Sequence, residues 1–215
     1  MDTNELWLLD SVLEQRHPMA MLTMDNCEVI FDRPAHGMDR ETLVATLTRL
    51  FELNLLNATN DERGEFTPAP NEIVKALDSE MDADYGLTEM GGAVWAEVAM
   101  PDWNRYVDGT FGESDADGEF DSIAREFVGE FCCADKEYLE RFMASIHFRG
   151  IAPHVPSFKW DNVSPWQAIY WKQLPSAHRV RFVGVYGPEC PEELIPEEFR
   201  GIGIWHKRKG WSDCL

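Results

Sequence analysis

The chain has no long apolar run, no paired-cysteine motif and few basic residues. No window approaches the roughly 18 consecutive apolar residues that a membrane-spanning helix needs. The first ten residues carry Asp2 and Glu5 but no Lys or Arg, so they lack the positive segment that opens a secretory signal peptide. We therefore expect a globular protein of the cytoplasm that does not bind membranes.

The metal-binding and redox residue types are present but scattered. The five cysteines have no C-x-x-C spacing, and their number is odd: Cys27, Cys132, Cys133, Cys190 and Cys214. This pattern fits neither a disulfide framework nor a zinc knuckle, so we expect reduced thiols. The six histidines show no H-x-x-x-H or H-E-x-x-H spacing, and we expect no metal or cofactor. A site assembled from distant residues stays open.

Catalytic motifs are also missing. The chain has no G-x-S-x-G nucleophile elbow and no P-loop, and Gly201-Ile202-Gly203 lacks the third glycine of a dinucleotide-binding loop. Acidic neighbours such as Asp135 raise the pKa of the Cys132 and Cys133 thiols, which argues against a reactive cysteine. We expect a protein that is not an enzyme. An enzyme with a site formed between the two halves of the chain is an alternative.

The chain is strongly acidic, and the charge is uneven. Its formal net charge is −20. Residues 1–100 hold 20 Asp and Glu against 6 Lys and Arg (−14), residues 101–150 hold 12 against 5 (−7), and residues 151–215 hold 7 against 8 (+1). DNA-binding proteins gain affinity by displacing counterions with Lys and Arg, so this charge argues against nucleic acid as a partner. The only basic cluster is Lys207-Arg208-Lys209, which is a weak patch.

Helix signals are clear in the first hundred residues. Asp2 is a suitable N-cap for an amphipathic helix over 2–16, and Asp39 is one for a helix that ends near Asn54. Residues 57–70 are polar with one Gly and two Pro, which predicts a hairpin or an extended loop. A short helix over 71–81, an extended segment at 85–87 and a helix capped by Thr88 follow.

Residues 39–99 resemble a winged helix. The run from Thr42 to Leu56, followed by Tyr85-Gly86-Leu87-Thr88-Glu89-Met90-Gly91, is similar to the recognition helix, turn and closing Y-x-L-T-x-x-G of MarR-like and PadR-like regulators. Residues 85–95, continued by 101–106, also resemble a group of uncharacterised bacterial proteins with an L-T-x-x-G-G-x-x-W signature. The first resemblance implies a winged-helix fold and a DNA-binding ancestry. The second implies no activity.

This chain departs from the regulators in charge. They place Arg and Lys on the recognition helix and wing. In this chain the charged residues at those places are mixed and mostly acidic: Asp39, Arg40, Glu41, Arg49 and Glu52, then Asp61, Glu62, Arg63 and Glu65. The fold can be inherited without the DNA contact.

The middle of the chain reads as a linker followed by two helices. Residues 109–121 are rich in Gly and Asp, and the EF-hand-like spacing of Glu113, Asp115, Asp117 and Gly118 lacks the closing Glu at position 12, where Ala124 stands. Apolar residues at helical spacing, including Phe127 and Phe131, predict one helix, and a second starts from Asp135. We expect these two helices to pair as a hairpin.

The last third is Pro-punctuated and rich in Trp. Ser164-Pro165-Trp166-Gln167 predicts a helix to about 173, residues 178–186 alternate as a strand, and 202–205 is a candidate partner strand. Trp, Tyr and Arg dominate interface hot spots, although a small subdomain also needs aromatic residues for its core. The predicted partner-binding residues are Trp160, Trp166, Tyr170, Trp171, Arg179 and Arg181.

We therefore predict an α+β fold in three parts. A winged-helix-like domain covers 1–108, an acidic linker and helical hairpin covers 109–150, and a small mixed α/β Trp-rich subdomain covers 151–215. The expected function is non-enzymatic protein–protein binding to a basic partner, of the immunity or inhibitor type, in which the acidic surface mimics nucleic-acid charge. A winged-helix transcriptional regulator is the first alternative, and an enzyme of unknown reaction is the second.

Overall fold

The computed structural model describes residues 1–31, 33–113, 126–188, 190–200 and 205. These residues form two compact units. Unit 1 holds Met1–Met100 together with Ile169–Lys172, and unit 2 holds Pro101–Ala168 and the described residues from Gln173 onward. The sequence-based boundaries were placed after residues 108 and 150 instead. The mixed α+β class is confirmed.

Unit 1 combines helices with a small antiparallel sheet. Its helices are α1 (Thr3–Ser11), α2 (Cys27–Ile30), α3 (Arg40–Glu52), α4 (Pro70–Leu77) and α5 (Glu89–Ala99). Its strands are β1 (His17–Pro18), β2 (Leu56–Asn60), β3 (Gly64–Phe66) and β4 (Asp84–Leu87). The strands are ordered β1–β4–β2–β3, and each neighbouring pair is antiparallel. Helix α1 packs against α3 and α5, and α3 packs against α4.

Local capping chemistry fixes the starts of these helices. The Asp2 carboxylate accepts from the Glu5 N–H at 2.9 Å, and Glu5 accepts in return from the Asp2 N–H. Asp39 accepts from the Thr42 N–H at 2.8 Å, and the Thr88 hydroxyl caps α5 in the same way. The three predicted N-caps are confirmed. Helix α1 ends at Ser11, five residues before its predicted end.

The segment after α3 forms the predicted hairpin. Asn54 adopts a left-handed φ of 55° that ends the helix, and Gly64 adopts φ 68° where the chain turns between β2 and β3. Helix α5 approaches this segment closely, because a Cβ on Gly91 would lie 1.9 Å from the Leu55 carbonyl oxygen. Glycine is therefore required at position 91 for the helix to pack against the backbone. The apolar face of α5 is built on Trp95, whereas Val98 is exposed.

Unit 2 is built on an antiparallel sheet, with one α-helix and five short 3-10 helices in its described residues. The helix is α6 (Lys136–Ser145). The strands are β5 (Val107–Glu113), β6 (Glu126–Cys133), β7 (Ile151–Pro153), β8 (Lys159–Val163), β9 (Trp166–Ile169), β10 (Lys172–Leu174) and β11 (Ala177–Tyr186). The main sheet is ordered β5–β6–β11–β7, and β8 pairs with β11. Strands β9 and β10 form a two-stranded sheet whose inner ends, residues 169–172, belong to unit 1.

The predicted helical hairpin of residues 109–150 is wrong. Residues 107–113 and 126–133 are strands β5 and β6, which pair along their length from Val107 with Cys133 to Glu113 with Phe127. Phe127 and Phe131 are four positions apart, and both a helix and a strand place such residues on one face. Their partner β11, which is distant in sequence, decides in favour of the strand. The second helix is confirmed as α6, with Asp135 as its N-cap.

The predicted helix from Ser164 to about 173 is also wrong. Residues 166–169 and 172–174 are strands β9 and β10. The Ser164 hydroxyl donates to the Pro175 carbonyl oxygen at 2.9 Å instead of capping a helix. The described residues after 150 therefore form strands and three short 3-10 helices, and contain no α-helix where the α/β subdomain was predicted. The predicted strand over 178–186 is confirmed as β11, whereas the linker beyond Glu113, the EF-hand-like residues 115–118 and strand 202–204 lie outside the described residues.

Candidate functional site

The structure divides the six predicted partner-binding residues between the two units. Tyr170 and Trp171 belong to unit 1, and the other four belong to unit 2. Trp166 is 3% exposed and Trp171 is 6% exposed, so both rings are core residues. The clustering of these residues in sequence therefore reflects core building for at least two of them. That these six residues contact a partner stays a prediction.

Tyr170 and Trp171 are held by the backbone of unit 1. The Tyr170 hydroxyl donates to the Val12 carbonyl oxygen and accepts from the Leu87 N–H, each at 2.6 Å. The Trp171 indole N–H donates to the Leu13 carbonyl oxygen at 2.8 Å. Burial raises the pKa of Tyr170 to about 12, so its hydroxyl stays neutral at physiological pH. These contacts anchor residues 169–172 against the end of α1.

A polar cleft of about 440 Å³ opens beside Tyr170 in unit 1. The Arg16 guanidinium lies in it and donates to Asn57 at 2.7 Å and to Glu65 at 2.8 Å. The same guanidinium lies over the Tyr170 ring, 5.2 Å from its centroid. The Arg16 cation in this cleft is thus already compensated by the Glu65 carboxylate.

Arg179 and Arg181 lie on the outer face of the unit 2 sheet, where carboxylates neutralise them. Arg179 forms a two-point contact with Asp161 (2.7 and 2.6 Å), and Arg181 donates to Glu130 at 2.6 Å. Hydrogen bonds from Arg179 lower the pKa of the Asp161 carboxyl, so this pair stays charged on both sides. Trp160 lies on the neighbouring strand β8 and is 38% exposed, with the Lys136 ammonium 5.9 Å from its ring centroid.

The two adjacent cysteines are poor nucleophiles. Burial, and then the charge of Glu130, raise the pKa of Cys132 to about 12. Burial raises the pKa of Cys133 to about 11, and its thiol donates to the Asn104 carbonyl oxygen at 3.3 Å. A thiol attacks as the thiolate, so neither cysteine is activated at neutral pH. Cys27 and Cys190 are free as well.

Helices α3 and α4 carry an apolar groove that the sequence analysis missed. The groove is shallow, has a volume of about 730 Å³, and is lined by Val44, Ala45, Thr48, Pro70 and Val74. Ala45 lies on the outer side of α3, and Val44 and Thr48 flank its buried side, where they are half-buried. A second apolar side on a helix that already has a core-facing side indicates an exposed apolar surface, and this pattern is visible in the sequence. Arg40, Glu41, Arg49 and Glu52 form the rim of the groove.

The two arginines on the rim are paired with acids. The Arg40 guanidinium lies 2.6 Å from the Asp78 carboxylate, and the Arg49 Nε lies 3.0 Å from Glu5. Glu5 is 4% exposed, and its carboxylate is compensated by Arg49, by the Asp2 N–H and by the Met1 ammonium at 3.9 Å. Within the described ranges, no cation lies within ion-pair distance of Glu41 or Glu52. The exposed face of α3 therefore presents apolar side chains and two uncompensated carboxylates.

The described residues contain no group of three or more His, Cys, Asp or Glu placed to hold a metal ion. In the same residues, no helix has both the length and the apolar character needed to cross a membrane. Comparisons with protein-family models, with curated proteins and with solved structures found no match to this chain. The resemblance to winged-helix regulators thus stays a prediction from the residues.

Proposed function

We propose that this chain is a non-enzymatic cytoplasmic protein that acts by binding a basic protein partner. The observation that carries the proposal is the composition of the exposed face of α3. Its arginines are engaged by Asp78 and Glu5, while Glu41 and Glu52 have no cationic partner in the described part of the chain. To bind the arginines of α3, a phosphate backbone would have to displace the carboxylates of Asp78 and Glu5. A cationic protein could instead pair directly with the carboxylates of Glu41 and Glu52.

The net charge supports the same proposal. Residues 1–100 carry −14 of the −20 total, so the field around unit 1 attracts cationic macromolecules over a range of about 10 Å at moderate salt. Immunity proteins that neutralise basic toxins, and acidic inhibitors that mimic nucleic-acid charge, depend on this kind of steering. Such a role needs no catalytic group, and the raised pKa values of Cys132 and Cys133 are in keeping with that.

A pull-down at low and at high salt, with mass-spectrometric identification, tests the proposal. The expected result is a basic protein whose recovery falls steeply as salt rises, because electrostatic steering is screened. The matched variant is Glu41→Lys/Glu52→Lys, which should recover less of the same protein at low salt. A partner held equally at both salt concentrations and by both proteins would contradict the role of charge.

A winged-helix transcriptional regulator is the second candidate. It is supported by the order of elements after Asp39, in which α3 is followed directly by the β2–β3 hairpin, as a recognition helix is followed by a wing. We propose that residues 39–99 derive from such a fold. Gel-shift titration against genomic fragments at low salt separates the two candidates, because sequence-specific retardation is expected only of the regulator.

A further inference from the structure

We propose that the α3–α4 groove binds one amphipathic helix of the basic partner, with apolar side chains in the groove and a Lys or Arg at each end. This inference rests on the proposed function and names the site and the kind of segment that occupies it. The groove is the surface defined above by Val44, Ala45, Thr48, Pro70 and Val74.

The described residues leave part of the apolar lining exposed, since Val44 is half-buried and Pro70 is exposed. Val74 is 37% exposed and Ala45 is exposed, although α3 already buries Leu43, Leu47 and Leu50 on its other side. Apolar side chains aligned along two neighbouring helices mark an interaction surface more often than single exposed ones do.

The backbone around the groove favours a helix over an extended peptide. A β-strand binds by adding to a free sheet edge, but the groove is lined only by α3 and α4, whose N–H and C=O groups are used within the helices. At the start of α4, Pro70 has no N–H, Glu72 accepts from the Ala69 N–H at 2.8 Å, and the Glu72 and Ile73 N–H groups donate to the Ala69 carbonyl oxygen. A helix satisfies its own backbone and needs only side-chain contacts.

Charge selects a cationic occupant. Glu41 and Glu52 lie at the two ends of α3 and are both exposed. They are eleven positions apart, which is roughly 16 Å along a helix at 1.5 Å per residue. A helix about three turns long, with a basic residue near each end and apolar residues at i, i+3, i+4 and i+7, matches this spacing. A second copy of the same face would bring carboxylates together.

The test is a titration of the full chain with labelled synthetic helical peptides. The first peptide has a Leu-rich face and a Lys near each end, the second has the same composition in scrambled order, and the third has Glu in place of Lys. The full chain should bind the first peptide at least about tenfold more tightly than the other two, because amphipathic order and charge both contribute.

Variants locate the binding. Ala45→Glu places a charge in the groove while keeping a good helix former, so the fold is retained and affinity for the first peptide should fall at least about tenfold. Glu41→Lys/Glu52→Lys should shift preference toward the third peptide. The control is Val29→Glu, because Val29 is 74% exposed in unit 1 but outside the groove, and this change should leave affinity within about twofold.

Three results would overturn the assignment: equal binding of the ordered and scrambled peptides, equal losses in Ala45→Glu and Val29→Glu, or a dimer in light scattering that Ala45→Glu dissociates. A parallel titration with poly-lysine separates this failure from failure of the proposed function. Salt-sensitive poly-lysine binding without binding of the ordered peptide would retain a basic partner and reject the groove. If neither poly-lysine nor the ordered peptide binds, both the basic partner and the groove assignment are rejected.

Discussion

The two units stabilise their interiors by different means. Unit 1 buries two carboxylates: Asp10 accepts from the Trp95 indole N–H at 2.8 Å and from Arg33 at 2.6 Å, and Glu5 pairs with Arg49. The core of unit 2 is apolar and aromatic in its described residues, with Phe182 stacked on Phe131 at a centroid distance of 5.8 Å. The ion pairs of Arg179 with Asp161 and of Arg181 with Glu130 lie on the outer face of its sheet.

This difference predicts which substitutions destabilise each unit most. A buried ion pair adds little to the free energy of unfolding when it is intact, but removing one partner lowers that free energy strongly. The stability of unit 1 therefore depends on keeping both partners of each buried ion pair. An aromatic core depends on filled volume, so unit 2 is sensitive to cavities.

Phe182→Ala should destabilise unit 2 by about 4 kcal/mol, because it removes a buried ring that contacts Phe127, Phe131 and Phe158. The measurement is denaturant unfolding combined with amide exchange in β6 and β11. Phe111→Ala is the matched control, since Phe111 is 45% exposed and should cost well under half as much. Equal losses in the two variants would contradict an interior held together by packing.

Asp10→Ala should destabilise unit 1 by about 3 kcal/mol, because the buried Arg33 guanidinium and the Trp95 N–H both lose this acceptor. The chain supplies a matched control in Asp78→Ala. The Asp78–Arg40 pair has the same 2.6 Å distance as Asp10–Arg33 but is about half exposed, and its loss should cost less than about 1 kcal/mol. Comparable costs, measured by amide exchange in α1 and α5, would argue that burial is not the deciding variable.

Gly91→Ala should destabilise unit 1 by about 2 kcal/mol, because the new methyl group would meet the Leu55 carbonyl and force α5 outward. Gly112→Ala in unit 2 is the control, since no atom lies within 4 Å of the added Cβ and the change should be close to neutral. Thermal unfolding of both variants measures the difference. A neutral Gly91→Ala would show that α5 does not need this close approach.

The smallest expected effect is a pH dependence from His17 in unit 1. Burial, and then the nearby Arg33, lower the pKa of His17, against the opposing charge of Asp84. The unfolded chain therefore takes up this proton at higher pH than the folded chain, and stability should fall as pH drops below about 6.5 toward the folded pKa. His17→Gln should flatten this part of the stability profile. An unchanged slope would assign the dependence to other groups.

Sequence reasoning succeeded where local chemistry decides the structure. Asp2, Asp39, Thr88 and Asp135 start helices because their side chains reach a backbone N–H three residues on, which any reader of the sequence can foresee. It failed for β6, where spacing alone does not separate a helix from a strand. Pairing with β11, about fifty residues away, supplies the missing information.

The candidate site shows the same division. Composition alone indicated that α3 lacks spare positive charge. The partners that neutralise its arginines are distant, because Asp78 lies 38 positions after Arg40 and Glu5 lies 44 positions before Arg49. Two tryptophans were predicted to bind a partner because tryptophan is common at interfaces. Trp166 and Trp171 are instead buried in the core, and the sequence alone does not reveal that burial.

The central claim is that the exposed face of α3 accepts cationic protein and not nucleic acid. Amide chemical shifts of α3 and α4, followed at low salt during separate titrations with poly-lysine and with a short DNA duplex, test it directly. The prediction is that poly-lysine shifts the amides near Glu41 and Glu52 and that the duplex shifts none on these helices. Shifts of the α3 amides by the duplex, lost in Arg40→Ala/Arg49→Ala and absent with poly-lysine, would contradict it.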